Sequence, residues 1–221
     1  MEVTEAIESR RSVRGYRPEP VPRDVLEQIL GVARWAPSAN NSQPWEMAVI
    51  TGRPLDELRE AMANRGLETL KPDMPIPFPS YPPSYLNRCK ENGRRLYEVL
   101  GIARTDMEAR MRWERFCMRF FDAPAAAIVF VERSLGSYAV LDTGMFVQNV
   151  NLLCRSRGLG TCVEMGVVFF PDILRQKLNI PESKLIICGL AIGYPDEDAA
   201  AAKFQPLREP VKSFTTWHGF A

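Results

Sequence analysis

The chain contains a single histidine, His218, and that scarcity removes several chemistries. Zinc sites draw heavily on His, and an Asp-His-Ser triad needs one beside its serine, so neither is supported. Cysteine is also sparse. Cys89, Cys117, Cys154, Cys162 and Cys188 make an odd five, with no Cys-x-x-Cys pair. A disulfide framework is therefore not expected, and a reducing cytosol is the expected compartment. Long apolar runs are missing too. The longest, Ala123 to Val131, falls far short of the ~20 residues that span a bilayer as a helix. The acidic, amphipathic start lacks the apolar stretch of a signal peptide. Charge of one sign is not in excess: 28 Lys and Arg face 27 Asp and Glu, a net charge of +1. Neither nucleic acid nor an anionic membrane is expected as a partner.

What is present suits one domain, or one domain carrying an insertion. The chain has 221 residues, 46% of them hydrophobic and 25% charged, enough to bury a substantial core. Apolar spacing predicts a short helix over Val3 to Ser9 and a second from Pro22, with Val25, Leu26, Ile29, Leu30 and Ala33 on one face and Pro37 at its end. Glu46 to Thr51 and Ala125 to Glu132 read as strands, and Pro54 to about Asn64 as a helix. A long helix is expected over Tyr138 to Arg157. Its apolar residues spread around much of its circumference, which implies burial on many sides and suits a dimer core as well as a monomer core. Gly158 and Gly160 close it. A strand-like run over Thr161 to Phe169, a helix over Pro171 to Leu178 and a strand over Lys184 to Tyr194 follow. This alternation means α/β or α+β, and it leaves strand order open.

Two stretches differ in character. Six prolines fall between Pro72 and Pro83, where missing amide donors and restricted neighbours discourage regular structure. Two charged helices are expected next, Ser84 to Leu100 and Thr105 to Phe121. Residues 66 to 121 read as an insertion that covers something, a lid by its aromatic content. The stretch from Arg88 to Arg119 has nine basic and five acidic residues. It suits either a carboxylate-bearing aromatic substrate or a solvated helix face. Residues 195 to 221 read as a tail that needs another surface.

Four segments carry candidate chemistry. Arg10, Arg11, Ser12 and Arg14 combine planar guanidinium donors with a hydroxyl, a set suited to a phosphate; the alternative is a basic edge paired with Glu2, Glu5 or Glu8. In the segment Pro37 to Trp45, Ser38, Asn41, Ser42 and Gln43 both donate and accept hydrogen bonds, while Pro37 and Ala39 let the backbone approach a flat ring. The alternative is an ordinary helix-to-strand turn. The glycines of Gly158 to Gly166 lie between a helix and a strand, the wrong order for a dinucleotide fingerprint. Arg208, flanked by prolines, suits a phosphate or an ion pair with Glu209.

In this order, these segments resemble the FMN-dependent nitroreductase family over most of the chain apart from the lid. The resemblance implies an α+β sandwich with a mainly antiparallel sheet flanked by helices, an intertwined homodimer, and two FMN sites at its interface. It matches Arg10, Ser12 and Arg208 to the phosphate set, with Arg11 placed to help, and Arg14 to the cation near the pyrimidine edge. It matches Pro37, Ser38, Ala39 and Asn41 to the loop at the ribityl chain and ring, and Val163, Glu164, Met165 and Gly166 to the segment on the ring's other side. The activity implied is hydride transfer from NADPH or NADH through FMN to a small, electron-poor aromatic such as a nitroaromatic or quinone, in ping-pong order. No side chain acts as nucleophile, because the cofactor carries the chemistry. Alternatives inside the superfamily are reductive dehalogenation and flavin cleavage; another is an FMN carrier without catalysis. The Glu, Tyr and Lys set of the related deiodinases has no counterpart in this lid.

Overall fold

A computed structural model describes residues 1–65 and 80–220. The chain opens with α1 (Val3–Ser9) and α2 (Arg23–Ala33). Pro22 caps α2 and Asp24 sits in its first turn, while Leu26, Ile29 and Ala33 form its buried stripe. The helix stops at Ala33, before Pro37, and the chain turns through Trp35 and Ala36. Strand β1 (Glu46–Thr51) and helix α3 (Gly52–Asn64) follow.

The expected irregular stretch from 66 lies mostly outside the described residues. Helix α4 (Pro83–Val99) starts on a proline at its first position, where the lost amide costs nothing. Helix α5 (Met107–Met118) is capped by Asp106, whose side chain accepts from the Ala109 amide. After β2 (Ala125–Glu132) comes α6 (Gly136–Ser156), then β3 (Gly160–Glu164), α7 (Pro171–Leu178) and β4 (Lys184–Gly193).

The four strands form one sheet in the order β1-β2-β4-β3, and every pairing is antiparallel. The fold is thus α+β. The central strands β2 and β4 are buried on both faces, so they read as continuous apolar runs. Side-chain alternation divides the core into two layers. Ala125, Ala127 and Val129 pack with Leu26 and Ile29 of α2 and Phe146 and Val150 of α6. Ala126 and Ile128 face the opposite way, against Leu55 and Leu58 of α3, Leu174 of α7 and Phe120.

One strand departs from expectation. The strand-like run from Thr161 to Phe169 is a strand only to Glu164. Met165 takes helical backbone angles and Gly166–Phe169 forms a 3-10 turn, because the apolar residues Val167 and Val168 are needed in the second core layer. Within the single chain α6 covers only part of its apolar surface: Phe146, Val147, Val150 and Cys154 are inside, and Tyr138 and Leu141 are 71% and 63% exposed. No helix among the described residues is long and apolar enough to cross a membrane.

Candidate active site

The arginine-rich segment acquires its position by lying along β3. Ser12 forms a parallel bridge with Thr161, and the Val13 amide donates to the Thr161 carbonyl at 2.9 Å. The approach is so close that a Cβ at Gly160 would sit 2.5 Å from Val13 Cγ2. Farther on, a Cβ at Gly15 would sit 2.4 Å from Ala199 Cβ. Only glycine permits either contact. The Tyr16 hydroxyl donates back to the Val13 carbonyl at 2.9 Å, and the Arg17 amide to Tyr194. The segment is therefore stitched to β3 and to the exit from β4.

This placement opens a cavity of about 640 Å³ lined by Arg10, Arg11, Arg155, Thr161, Pro206 and Arg208. The volume lies within the roughly 300–1,000 Å³ of small-molecule sites. The ion pairs differ from those read in the sequence. Arg11 pairs with Glu197, and Glu209 pairs with Arg88 at 3.3 Å rather than with Arg208. Arg208 donates only to the carbonyls of Pro206 and Leu207. Among the described residues, Arg10 and Arg208 have no carboxylate partner. Burial, and then the nearby Arg208 charge, hold the Arg10 guanidinium below its ordinary value. Two unpaired guanidinium groups in one concavity fit a phosphate, which is the chemical test for the cofactor's anionic end.

Beside the cavity, the end of β3 and the turn that follows it carry the segment 163–166. Val163 and Met165 are 39% and 48% exposed, whereas Glu164 is 8% exposed. Burial pushes the Glu164 carboxyl up to about 7, against the opposing pull of the Cys162 thiol and the Arg14 charge. Arg14 itself turns back to donate to the Ser12 carbonyl at 3.3 Å.

The Pro37 to Asn41 loop lies elsewhere. Its Ala39 amide donates to Asp142 Oδ2 at 3.0 Å, and the Gln43 amide to Ser38 Oγ at 3.0 Å. Asn40, Asn41 and Gln43 have φ values of 52°, 57° and 47°, a left-handed conformation that Asn tolerates better than most residues. Trp45 stacks flat on Phe146 with ring centroids 5.0 Å apart. The loop thus sits on the N-terminal half of α6, while the cavity uses Asn151 and Arg155 of the C-terminal half. Helical rise separates those positions from Asp142 by roughly 13–20 Å. Within one chain, Arg10, Arg11 and Arg208 share the cavity, with Ser12, Arg14 and 163–166 alongside. Pro37, Ser38, Ala39 and Asn41 are not part of it.

Sequence reasoning missed three supports. Asp142 holds the loop, Asn151 accepts from the Thr161 hydroxyl at 2.7 Å, and Arg155 donates to Ser9 Oγ at 2.9 Å. Asn151 and Arg155 are polar residues four apart in α6, a spacing that puts both on one face. Among the described residues no His, Cys, Asp and Glu cluster fits a metal ion.

Comparisons agree with this architecture. The model of the nitroreductase family matches residues 7–194. The chain is 33% identical to a 4-nitrobenzoate reductase of Pseudomonas putida, covering 97% of this chain and 94% of the relative. It is equally 33% identical to a chloronitrobenzene nitroreductase of Comamonas testosteroni, over 97% and 96% of the two chains. The crystal structure of the FMN and NADPH-dependent nitroreductase NfnB from sphigopyxis sp. strain HMH superposes with a TM-score of 0.96 at 32% identity, over the full length of both chains. The protein belongs to the nitroreductase family.

Proposed function

We propose that this protein is an FMN-dependent oxidoreductase that uses NADPH or NADH to reduce a nitroaromatic or similarly electron-poor aromatic. The observation that carries the reading is the pair Arg10 and Arg208, two guanidinium groups without carboxylate partners in one cavity. In this reading they hold the FMN phosphate with Ser12, and Arg11 adds charge at the rim. Arg14 lies toward the pyrimidine edge, where a fixed cation stabilises negative charge. The backbone of Val163, Glu164, Met165 and Gly166 borders the ring. Bound there, FMN would supply the two-electron chemistry, and the protein would bind, orient and shield it. The nitroaromatic substrates in the relatives' names favour nitro reduction over dehalogenation or flavin cleavage.

The distance between the arginine cavity and the Pro37 to Asn41 loop supports a homodimer in which Pro37, Ser38, Ala39 and Asn41 come from a second copy. Exposed apolar residues suit that assembly. Val32, Trp35, Tyr138 and Leu141 lie on α2, α6 and their surroundings, and Phe214, Trp217 and Phe220 lie on the tail. Large exposed apolar groups in number mark interaction surfaces. In the same reading the tail from about 195 to 221 embraces the second copy, the segment of about 66 to 121 covers the substrate, and the protein works in the cytoplasm.

The test is to purify the protein without added cofactor, record its visible absorbance, and add NADPH or NADH without oxygen. A yellow protein that bleaches, and recovers on adding a nitrobenzoate, is the expected result. A yellow protein that does not bleach points to a carrier. A colourless protein that also fails to take up FMN overturns the proposal.

A further inference from the structure

The end of β3 buries a carboxyl group, Glu164, that is 8% exposed. Glu164 Oε1 has no hydrogen-bond partner, and no ion pair joins Glu164 to a described residue. Strand alternation turns Cys162 and Glu164 to the same face, and Glu164 lies opposite Gly189 of β4. Ionised carboxylates in such surroundings are normally paired, so an unpaired one signals a group kept for its proton rather than for stability.

The groups that interact electrostatically with it, directly or through Cys162, come from four elements. The N-terminal segment contributes Arg14, Ser12 and Tyr16, β3 contributes Cys162, α5 contributes Cys117 and β4 contributes Cys188. Arg14 is the sole cation among them. Burial pushes Tyr16 and Cys162 well above their ordinary values, and Cys117 and Cys188 up to about 12. All four therefore stay neutral through the physiological range. Glu164 alone changes charge near neutrality, having risen to about 7. The Cys162 thiol, on the same face of β3, donates to the Val163 carbonyl at 3.9 Å.

We infer that Glu164 is the proton-holding residue of the redox site, gaining a proton when negative charge builds up beside Arg14 and releasing it when the acceptor is reduced. The inference rests on the flavin reading above. Its chemical need is fixed by balance. Converting a nitro to a nitroso group breaks one N–O bond and takes one hydride and one proton. The hydride, derived from the nicotinamide donor, supplies both electrons and one hydrogen. The proton is the second hydrogen, and the departing oxygen leaves as water. Glu164 supplies that proton and is recharged from solvent.

Two measurements test it. In cofactor-free protein, infrared titration between pH 5 and 9 should show a protonated-carboxyl band lost with a midpoint near 7, and Glu164→Gln should lack it. In FMN-loaded protein, anaerobic reduction in weak buffer with an indicator dye counts protons. Wild type should take up about half a proton per flavin more than Glu164→Gln at pH 7, since Glu164 starts half protonated there. Glu164→Asp should retain extra uptake with a shifted midpoint, and it serves if the Gln variant does not fold. A purely structural role would change stability and leave the proton count untouched. An unchanged band or count in Glu164→Gln, with flavin bound and reducible, overturns this inference alone. Failure to bind FMN at all overturns the flavin reading as well.

Discussion

Arg10 and Arg208, far apart in the chain, line one cavity, and burial first and then the charge of Arg208 depress the proton affinity of Arg10. Like charges brought together without a carboxylate form a site that awaits an anion. Replacing either with Ala should weaken FMN binding by the worth of a charge-assisted hydrogen bond, about 1.5–3 kcal/mol, or roughly 10- to 100-fold. Quenching of FMN fluorescence on titration with cofactor-free protein measures it. The urea stability of the cofactor-free Arg208→Ala protein should not fall, because substitution removes a repulsion. Full FMN affinity in the Arg10→Ala, Arg208→Ala double variant would show that the phosphate lies elsewhere.

Asp142 governs the loop on the other half of α6. Its carboxylate accepts from the Ala39 amide at 3.0 Å and is almost wholly buried. Asp142→Ala should leave that amide without its acceptor and cost about 1–3 kcal/mol of unfolding free energy. It should also weaken FMN binding. Asp142→Asn keeps an acceptor oxygen in place and should recover much of both. Equal FMN affinity in wild type and Asp142→Ala would remove the loop from the site.

If the loop and the arginine cavity meet only between two copies, mixing variants should restore activity. Arg10→Ala and Asp142→Ala proteins, each impaired alone, should form heterodimers with one intact site and one doubly damaged site. NADPH oxidation with a nitroaromatic should then exceed that of either parent after exchange of subunits. Leu141→Glu, on the exposed side of α6, should give a monomer by light scattering that has lost its flavin. No recovery on mixing, despite demonstrated exchange, would mean that each site is built from one chain.

Glu164 also links stability to pH in the cofactor-free protein. Its carboxyl is raised from 4.5 to about 7 on folding. Between those values the folded state binds more protons than the unfolded state, so stability falls as pH rises. The favourable contribution is complete below 4.5 and is gone above about 7. The shift corresponds to roughly 3 kcal/mol. Urea unfolding from pH 4.5 to 8 should show this decline in wild type and a flatter profile in Glu164→Gln. Parallel profiles would place the titrating group elsewhere.

Local pattern accounts for much of the fold. Glu46–Thr51, Ala125–Glu132 and Pro171–Leu178 have the bounds that their apolar runs and leading proline imply. Such signals depend on neighbouring residues only. The run after Thr161 misleads because Val167 and Val168 are apolar for the sake of the core, not of a strand. The site was partly legible for the same reason. Guanidinium, hydroxyl and amide groups declare their chemistry in sequence, so Arg10, Ser12, Arg14 and Arg208 stand out. Buried supports such as Asp142 and Asn151 do not, since Asp142 meets the Ala39 amide 103 residues away and Asn151 meets Thr161 only once α6 turns into β3.

By itself, then, the sequence determined the residue types a phosphate and a flat ring require, the helices and most strand bounds. Only the tertiary structure decided which of those residues meet. Closing β3 onto the N-terminal segment through Gly160 places Arg10 with Arg208. The length of α6 keeps Pro37 to Asn41 apart from them, because a rigid helix holds its two halves at a fixed distance. Burial in turn gave Glu164 its altered proton affinity, a property of surroundings that no residue type carries alone.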